Sequence, residues 1–104
     1  MGYTGQMHVE KTNDYSRWLN ALKDQAGRAR VLMRVDRLIH GNPGLHRNLT
    51  EGVSELKIDV GPDYRVHYSL RADRLLLLLI AGGDKSSQAK DIARALELNR
   101  SYQE

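Results

Sequence analysis

Apolar positions along the chain change period twice, and each change marks a change of element. Tyr15, Trp18, Leu19 and Leu22 recur at i, i+3, i+4 and i+7, which predicts an amphipathic helix. Thr12, Asn13 or Asp14 can accept its first free N–H groups. Gln25-Ala26-Gly27 is expected to break that helix. A second helix carrying Val31, Leu32, Val35, Leu38 and Ile39 then runs to about His40, where Gly41-Asn42-Pro43-Gly44 stops it. Two helices so joined predict a helical hairpin. From Leu45 to Gly52 a loop is expected, after which the period becomes two. Leu56, Ile58 and Val60 alternate with Glu55, Lys57 and Asp59, and Tyr64, Val66, Tyr68 and Leu70 alternate with Arg65, His67, Ser69 and Arg71. Gly61-Pro62-Asp63 reads as a three-residue hairpin loop and Ala72-Asp73 as the next turn. The unbroken apolar run Leu75 to Ala81 predicts a strand buried on both faces. After Gly82-Gly83, Ser86 or Ser87 can cap a last helix with Ala89, Ile92, Ala93 and Leu96 on one face. With a short first strand at His8 to Lys11, the order is β-α-α-β-β-β-α. This is an α+β domain with an N-terminal helical hairpin and a C-terminal helix expected on one face of a small antiparallel sheet.

Length and composition narrow the functional classes. With 104 residues the chain is expected to form one domain over 7–104, preceded by a polar leader or remnant at 1–6. Cysteine is absent, which excludes thiol catalysis, thiolate-bound zinc and disulfide bracing, and fits a reducing, cytoplasmic setting. The longest apolar run falls far short of the roughly 20 residues that a membrane helix needs, so no membrane partner is expected. Lys and Arg number 16 against 13 Asp and Glu, a net charge of +3. The excess is local. Residues 1–52 hold eight basic and five acidic residues, whereas 53–104 hold eight of each.

Three places can carry chemistry. With a three-residue loop, Val60 would face Tyr64, Ile58 would face Val66 and Leu56 would face Tyr68, which forms the helix-covered side. The opposite side would pair Asp59 with Arg65, Lys57 with His67 and Glu55 with Ser69. That side is expected to be exposed, and it gathers Lys57, Arg65 and His67, two cations and a group that titrates near neutral pH. Ordinary solvated side chains, with Asp59–Arg65 a surface ion pair, are the simpler expectation from pattern alone. The second place is the turn Gly82-Gly83-Asp84-Lys85-Ser86-Ser87-Gln88, which enters a helix and adds Lys85. Its spacing is not that of a P-loop. The third is a basic stripe, Arg30, Arg34 and Arg37 at i, i+4 and i+7, suited to nucleic-acid phosphates or an acidic partner, although a solvated helix face is the default. His8, His40 and His46 have no metal-ligand spacing, and neither a metal nor any other cofactor is expected.

Taken together these stretches resemble the RelE/ParE toxin superfamily, in particular its HigB-like addiction module killer branch, related to phage Gp49-like proteins. The resembling residues are Trp18-Leu19 and Leu22, then Ala29-Arg30 through Arg37-Leu38, then Gly52-Val53-Ser54-Glu55-Leu56-Lys57-Ile58-Asp59 with Gly61-Pro62 and Tyr64-Arg65-Val66, and finally Gly82-Gly83-Asp84-Lys85-Ser86-Ser87-Gln88 with Lys90-Asp91-Ile92. They span roughly residues 8 to 98. The resemblance implies the toxin of a type II toxin–antitoxin system, a metal-independent endoribonuclease that cuts mRNA on the ribosome through attack of a ribose 2′-OH. It also implies a cognate antitoxin, commonly a small helix-turn-helix protein. Arg65 stands at the Tyr-Arg position where RelE-like toxins place a phosphate-stabilising arginine. Lys57 and Lys85 would be further cations at the phosphate, and His67 an acid or base. Arg30, Arg34, Arg37, Ser86 and Gln88 would contact RNA or the ribosome. Four departures stand out: an aromatic often fills the position of His67, the HigB-like His/Asp/Tyr/His arrangement is not evident, and two more positions differ. Asp63 occupies a position that is commonly glycine in this branch, and Tyr102 is the only C-terminal tyrosine, expected to lie in a frayed end. The same scaffold in ParE-like proteins inhibits DNA gyrase without nuclease activity, and a degenerate member would only bind antitoxin or nucleic acid.

Overall fold

A computed structural model describes residues 7–59, 61–72 and 76–102. The leader expected at 1–6 lies outside them, as do Val60, Asp73 and Leu75. In chain order the elements are β1 (His8–Lys11), α1 (Asn13–Ala21), α2 (Gln25–Ile39), β2 (His46–Asn48), β3 (Val53–Ile58), β4 (Tyr64–Arg71), β5 (Leu76–Gly83), a 3-10 turn (Lys85–Ser87) and α3 (Gln88–Ser101). They form a five-stranded sheet in the order β1-β5-β4-β3-β2. The expected α+β class and order hold, with one strand added. β2 falls in the segment expected to be a loop, where three exposed residues show no alternation, yet it pairs with Leu56, Glu55 and Ser54 of β3. The sheet is also not wholly antiparallel, because β1 runs parallel to β5. No tight turn joins those two strands, so nothing local forces them to run in opposite directions.

Helices cover both faces rather than one. Tyr15 and Leu19 of α1 and Val31, Val35 and Leu38 of α2 pack against Leu56, Ile58, Tyr64, Val66, Tyr68, Leu77 and Leu79. On the other face Ala95 of α3 meets Val53, Leu78, Ile80 and Ala81. The apolar side of α3 is also rotated from the expected one: Ala95 is buried, Ile92 and Leu96 are half-buried, and Ala89 and Ala93 are exposed. The surface beneath α3 is partly polar, and polar ties complete the docking. Arg94 binds Asp14 of α1 through Nε at 3.0 Å, and Arg100 binds Glu51 at 2.8 Å. Arg71 donates to Asn99 and lies over the Tyr102 ring at 5.2 Å, so that tyrosine is packed rather than frayed.

Local chemistry sets the element ends. Thr12 Oγ1 accepts the Tyr15 N–H to start α1. Asp24 does the same for α2 through Gly27, so the break falls before Gln25 and not at Gln25-Ala26-Gly27. Gly27 belongs inside the first turn because a Cβ there would sit 2.4 Å from the Tyr64 ring. At the far end Gly41 has φ +91°, and the N–H groups of Gly41 and Asn42 reach the carbonyls of Leu38 and Arg37.

The β3–β4 hairpin differs from expectation by two residues. Ile58 faces Tyr64, Lys57 faces Arg65, Leu56 faces Val66, Glu55 faces His67 and Ser54 faces Tyr68. The loop is therefore five residues long, with Gly61 and Asp63 both left-handed (φ +57° and +58°), a conformation that aspartate tolerates better than most residues. A two-residue shift leaves every side chain on its expected face and changes only its partner.

Candidate functional site

Across β3, β4 and β5, the residues Lys57, Arg65 and Gly83 stand side by side on the α3 face. Arg65 is 7% exposed, and its Nε and Nη1 are buried with no hydrogen-bond partner. Each buried, unpaired donor costs about 1–3 kcal/mol. Such an arginine is poor for stability and suited to receiving an anion. Lys57 is half-buried beside it. Lys85 follows Gly83 by two residues and is exposed on the 3-10 turn, whose Lys85 N–H points to the Pro62 carbonyl at 3.4 Å. Asp84 caps that turn by accepting from the Ser86 N–H at 2.9 Å and from the Ser86 hydroxyl. The Ser86 hydroxyl bond is the chief reason that the Asp84 carboxyl is held below its ordinary value.

The rest of this sheet face is covered, which corrects the expectation of an exposed charged surface. Glu55 and His67 are fully buried and Ser69 is 3% exposed, all beneath α3. His67 Nε2 and Glu55 Oε2 are hydrogen-bonded at 3.0 Å. Gln88 Nε2 donates to both Glu55 oxygens at 3.0 and 3.1 Å, and Arg47 Nε donates to one at 3.1 Å. Burial alone would raise the Glu55 carboxyl. The bonds from Gln88 and His67, with the charges of His67 and Arg47, outweigh it and leave Glu55 below its ordinary value. Burial lowers His67 by more than Glu55 raises it, which favours the neutral imidazole. Lys57 and Arg65 are thus brought together as expected, but Lys57 faces Arg65 rather than His67, and His67 points into a closed network. Gln88 is the pin between α3 and Glu55.

The basic stripe divides. Arg34 spends its guanidinium on three carbonyls, those of Lys57, Pro43 and Leu45, each at 2.9 Å, and so ties α2 to β3 and to the loop before β2. Arg30 and Arg37 are exposed. A cleft bounded by Leu38, Pro43, Tyr68 and Leu77 opens on the α1–α2 face, away from Arg65.

Two residues here were not singled out from sequence. Glu55 looked like one more charge on an alternating strand, and only its partners reveal it as an anchor. Asp91, in the first turn of α3, lies directly over Gly83: a Cβ on that glycine would stand 1.8 Å from Asp91 Oδ2 and 2.9 Å from Ser87 Oγ. The Ser87 hydroxyl donates to the same carboxylate. Among the described residues no helix is long and apolar enough to cross a membrane.

No family model matches the sequence. Among solved structures, the chain is similar in fold to a double-arginine mutant of the Escherichia coli toxin RelE in the free state, with a TM-score of 0.73 and 12% identity, covering 94% of this chain and all of that one. A Haemophilus influenzae (strain Rd) protein described as uncharacterized is 38% identical over 89 residues, which span 86% of this chain and 89% of that protein. On that identity and coverage the chain belongs to the family of the Haemophilus influenzae protein, and its fold is that of the RelE toxin.

Proposed function

We propose that this protein is the toxin of a type II toxin–antitoxin system, of the HigB-like branch, and arrests growth by cutting mRNA on the ribosome. The observation that carries the reading is Arg65, a nearly buried guanidinium with two unpartnered donors, flanked by Lys57 on the next strand and followed across Gly83 by Lys85. In RNA cleavage by 2′-OH attack, the O2′–P bond forms as the P–O5′ bond breaks, and extra negative charge gathers on the phosphorane oxygens. Positioned cations at those oxygens lower the barrier. Arg65 serves this role directly, and Lys57 and Lys85 contact the phosphate or its neighbours. His67 holds Glu55 and, through it, the start of α3, and does not itself meet the RNA. The exposed Arg30 and Arg37 suit rRNA phosphates, and the basic α2 suits an acidic antitoxin segment. The fold likeness to RelE supports the same reading.

The test is induction of wild type and Arg65→Ala in cells, followed by primer extension on mRNA. Codon-aligned cuts and growth arrest with wild type, both lost in a folded Arg65→Ala protein, are expected. Unchanged toxicity in that variant, or intact mRNA accompanied by gyrase-linked DNA damage, overturns the reading.

A further inference from the structure

We infer that Asp91 is the general base of this site, the group that takes the proton from the attacking 2′-OH. The inference rests on the endoribonuclease reading. Three observations carry it. First, Gly83 pairs with Arg65 across β4 and β5 on the α3 face, and the space that a side chain at Gly83 would fill holds the Asp91 carboxylate instead. Directly opposed Cβ positions on neighbouring strands lie about 5 Å apart, so the carboxylate occupies the place of Arg65's cross-strand neighbour. Second, Arg65 Nε and Nη1 form no hydrogen bond with that carboxylate or with any other group. The two opposite charges thus lie on the same face of the sheet without pairing through those donors. Third, Ser87 donates its hydroxyl to Asp91, which fixes the carboxylate over the glycine. His67, the other titratable candidate on this face, is fully buried and bonded to Glu55, so it cannot reach a ribose while α3 is seated.

The step balances simply. The 2′-O–H bond breaks and its proton goes to the Asp91 carboxylate. O2′ then bonds to phosphorus, the P–O5′ bond breaks, and the departing O5′ takes a proton from water. The products are a 2′,3′-cyclic phosphate and a free 5′-hydroxyl. Asp91 afterwards releases its proton to solvent. A side chain at 83 would push the base out of this position.

The experiment is single-turnover cleavage of mRNA on programmed ribosomes by wild type, Asp91→Asn and Asp91→Glu, with ribosome binding and melting temperature measured alongside. Asn keeps the shape and can still accept from Ser87, but it cannot take up a proton. Its cleavage rate is expected to fall by about 10²–10⁴-fold, with binding and melting temperature unchanged. Asp91→Glu is expected to recover part of the rate. An mRNA whose 5′-oxygen at the cleavage site is replaced by sulfur, a leaving group that needs no acid, is expected not to rescue Asp91→Asn. Cleavage by Asp91→Asn within threefold of wild type overturns the assignment. Rescue by the sulfur substrate also overturns it and makes Asp91 the acid. Absence of cleavage by wild type overturns the endoribonuclease reading itself, and the base assignment with it.

Discussion

Glu55 and His67 face each other across β3 and β4 and share a 3.0 Å hydrogen bond, with neither side chain exposed to solvent. Both are depressed below their ordinary values, 4.5 for Glu55 and 6.5 for His67. The unfolded chain therefore binds more protons than the folded one as pH falls, and stability drops with it. For His67 the loss begins below about pH 6.5, and for Glu55 below about pH 4.5. The melting temperature is expected to decline from pH 7 to pH 5. His67→Gln, which keeps an amide donor for Glu55 but does not titrate, is expected to flatten that decline. Thermal unfolding across this range checks it, and an equally steep decline in the variant counts against the pair.

Arg65 and Tyr15 are both buried with unpartnered polar atoms. Replacing such a group with an apolar one of similar shape is neutral or stabilising. Tyr15→Phe is expected to raise stability by up to about 1 kcal/mol without changing toxicity. Arg65→Met is expected to hold or raise stability while abolishing toxicity. Denaturant unfolding and growth assays separate the two, and an Arg65→Met protein that is clearly less stable refutes the idea that this guanidinium is kept for a ligand.

An anion that binds the folded state alone stabilises it by mass action, by about 2.7 kcal/mol at a hundredfold excess over its dissociation constant. Inorganic phosphate is accordingly expected to raise the melting temperature of wild type more than that of Arg65→Met at matched ionic strength. Equal shifts in the two proteins would place the anion elsewhere.

Arg34 differs from its neighbours on α2. Losing its three carbonyl bonds in Arg34→Ala is expected to cost about 1–3 kcal/mol. Lysine cannot span the three acceptors, so Arg34→Lys is expected to recover little of it. Arg30→Ala and Arg37→Ala are expected to change stability by less than about 0.5 kcal/mol and to weaken ribosome association. Unfolding and pelleting assays on the three single variants check the division.

Gly82 lies under Trp18, and a Cβ there would stand 2.1 Å from the indole. Gly82→Ala is expected to destabilise the protein by about 1–3 kcal/mol, read as a lower denaturant midpoint. A midpoint matching wild type would show that the indole moves aside freely.

The residues explain why some features were legible in the sequence and others were not. Helices α1 and α2 carry apolar side chains at regular spacing, and their buried residues Tyr15, Leu19, Val31, Val35 and Leu38 were all on the expected faces. Lys57 and Arg65 were correctly placed on one side of the hairpin. Their direct pairing was not foreseen, because sliding a hairpin by two residues preserves its alternation and leaves the pattern unchanged. β2 escaped notice because three exposed residues have no apolar rhythm. The burial of Glu55 and His67 was hidden for another reason: they bond each other, and Gln88 and Arg47 complete the carboxylate, so two charged-looking positions can lie under a helix that its own composition describes as largely polar. The register shift between His67 and Tyr68, at which β5 has Ile80 as an extra residue, was equally invisible, since a strand with apolar residues at every position shows no phase to be broken.

That extra residue has a mechanical consequence. Ile80 sends its side chain into the layer beneath α3, while its carbonyl accepts the hydroxyl of Thr12, the residue that starts α1. Arg94 of α3 grips Asp14 of α1 around the same corner. The helices on opposite sides of the sheet are thereby geared to one another, and the base of α1 cannot loosen without disturbing the seat of α3. Amide protons at the start of both helices should then exchange as a single cooperative unit rather than as two independent flaps.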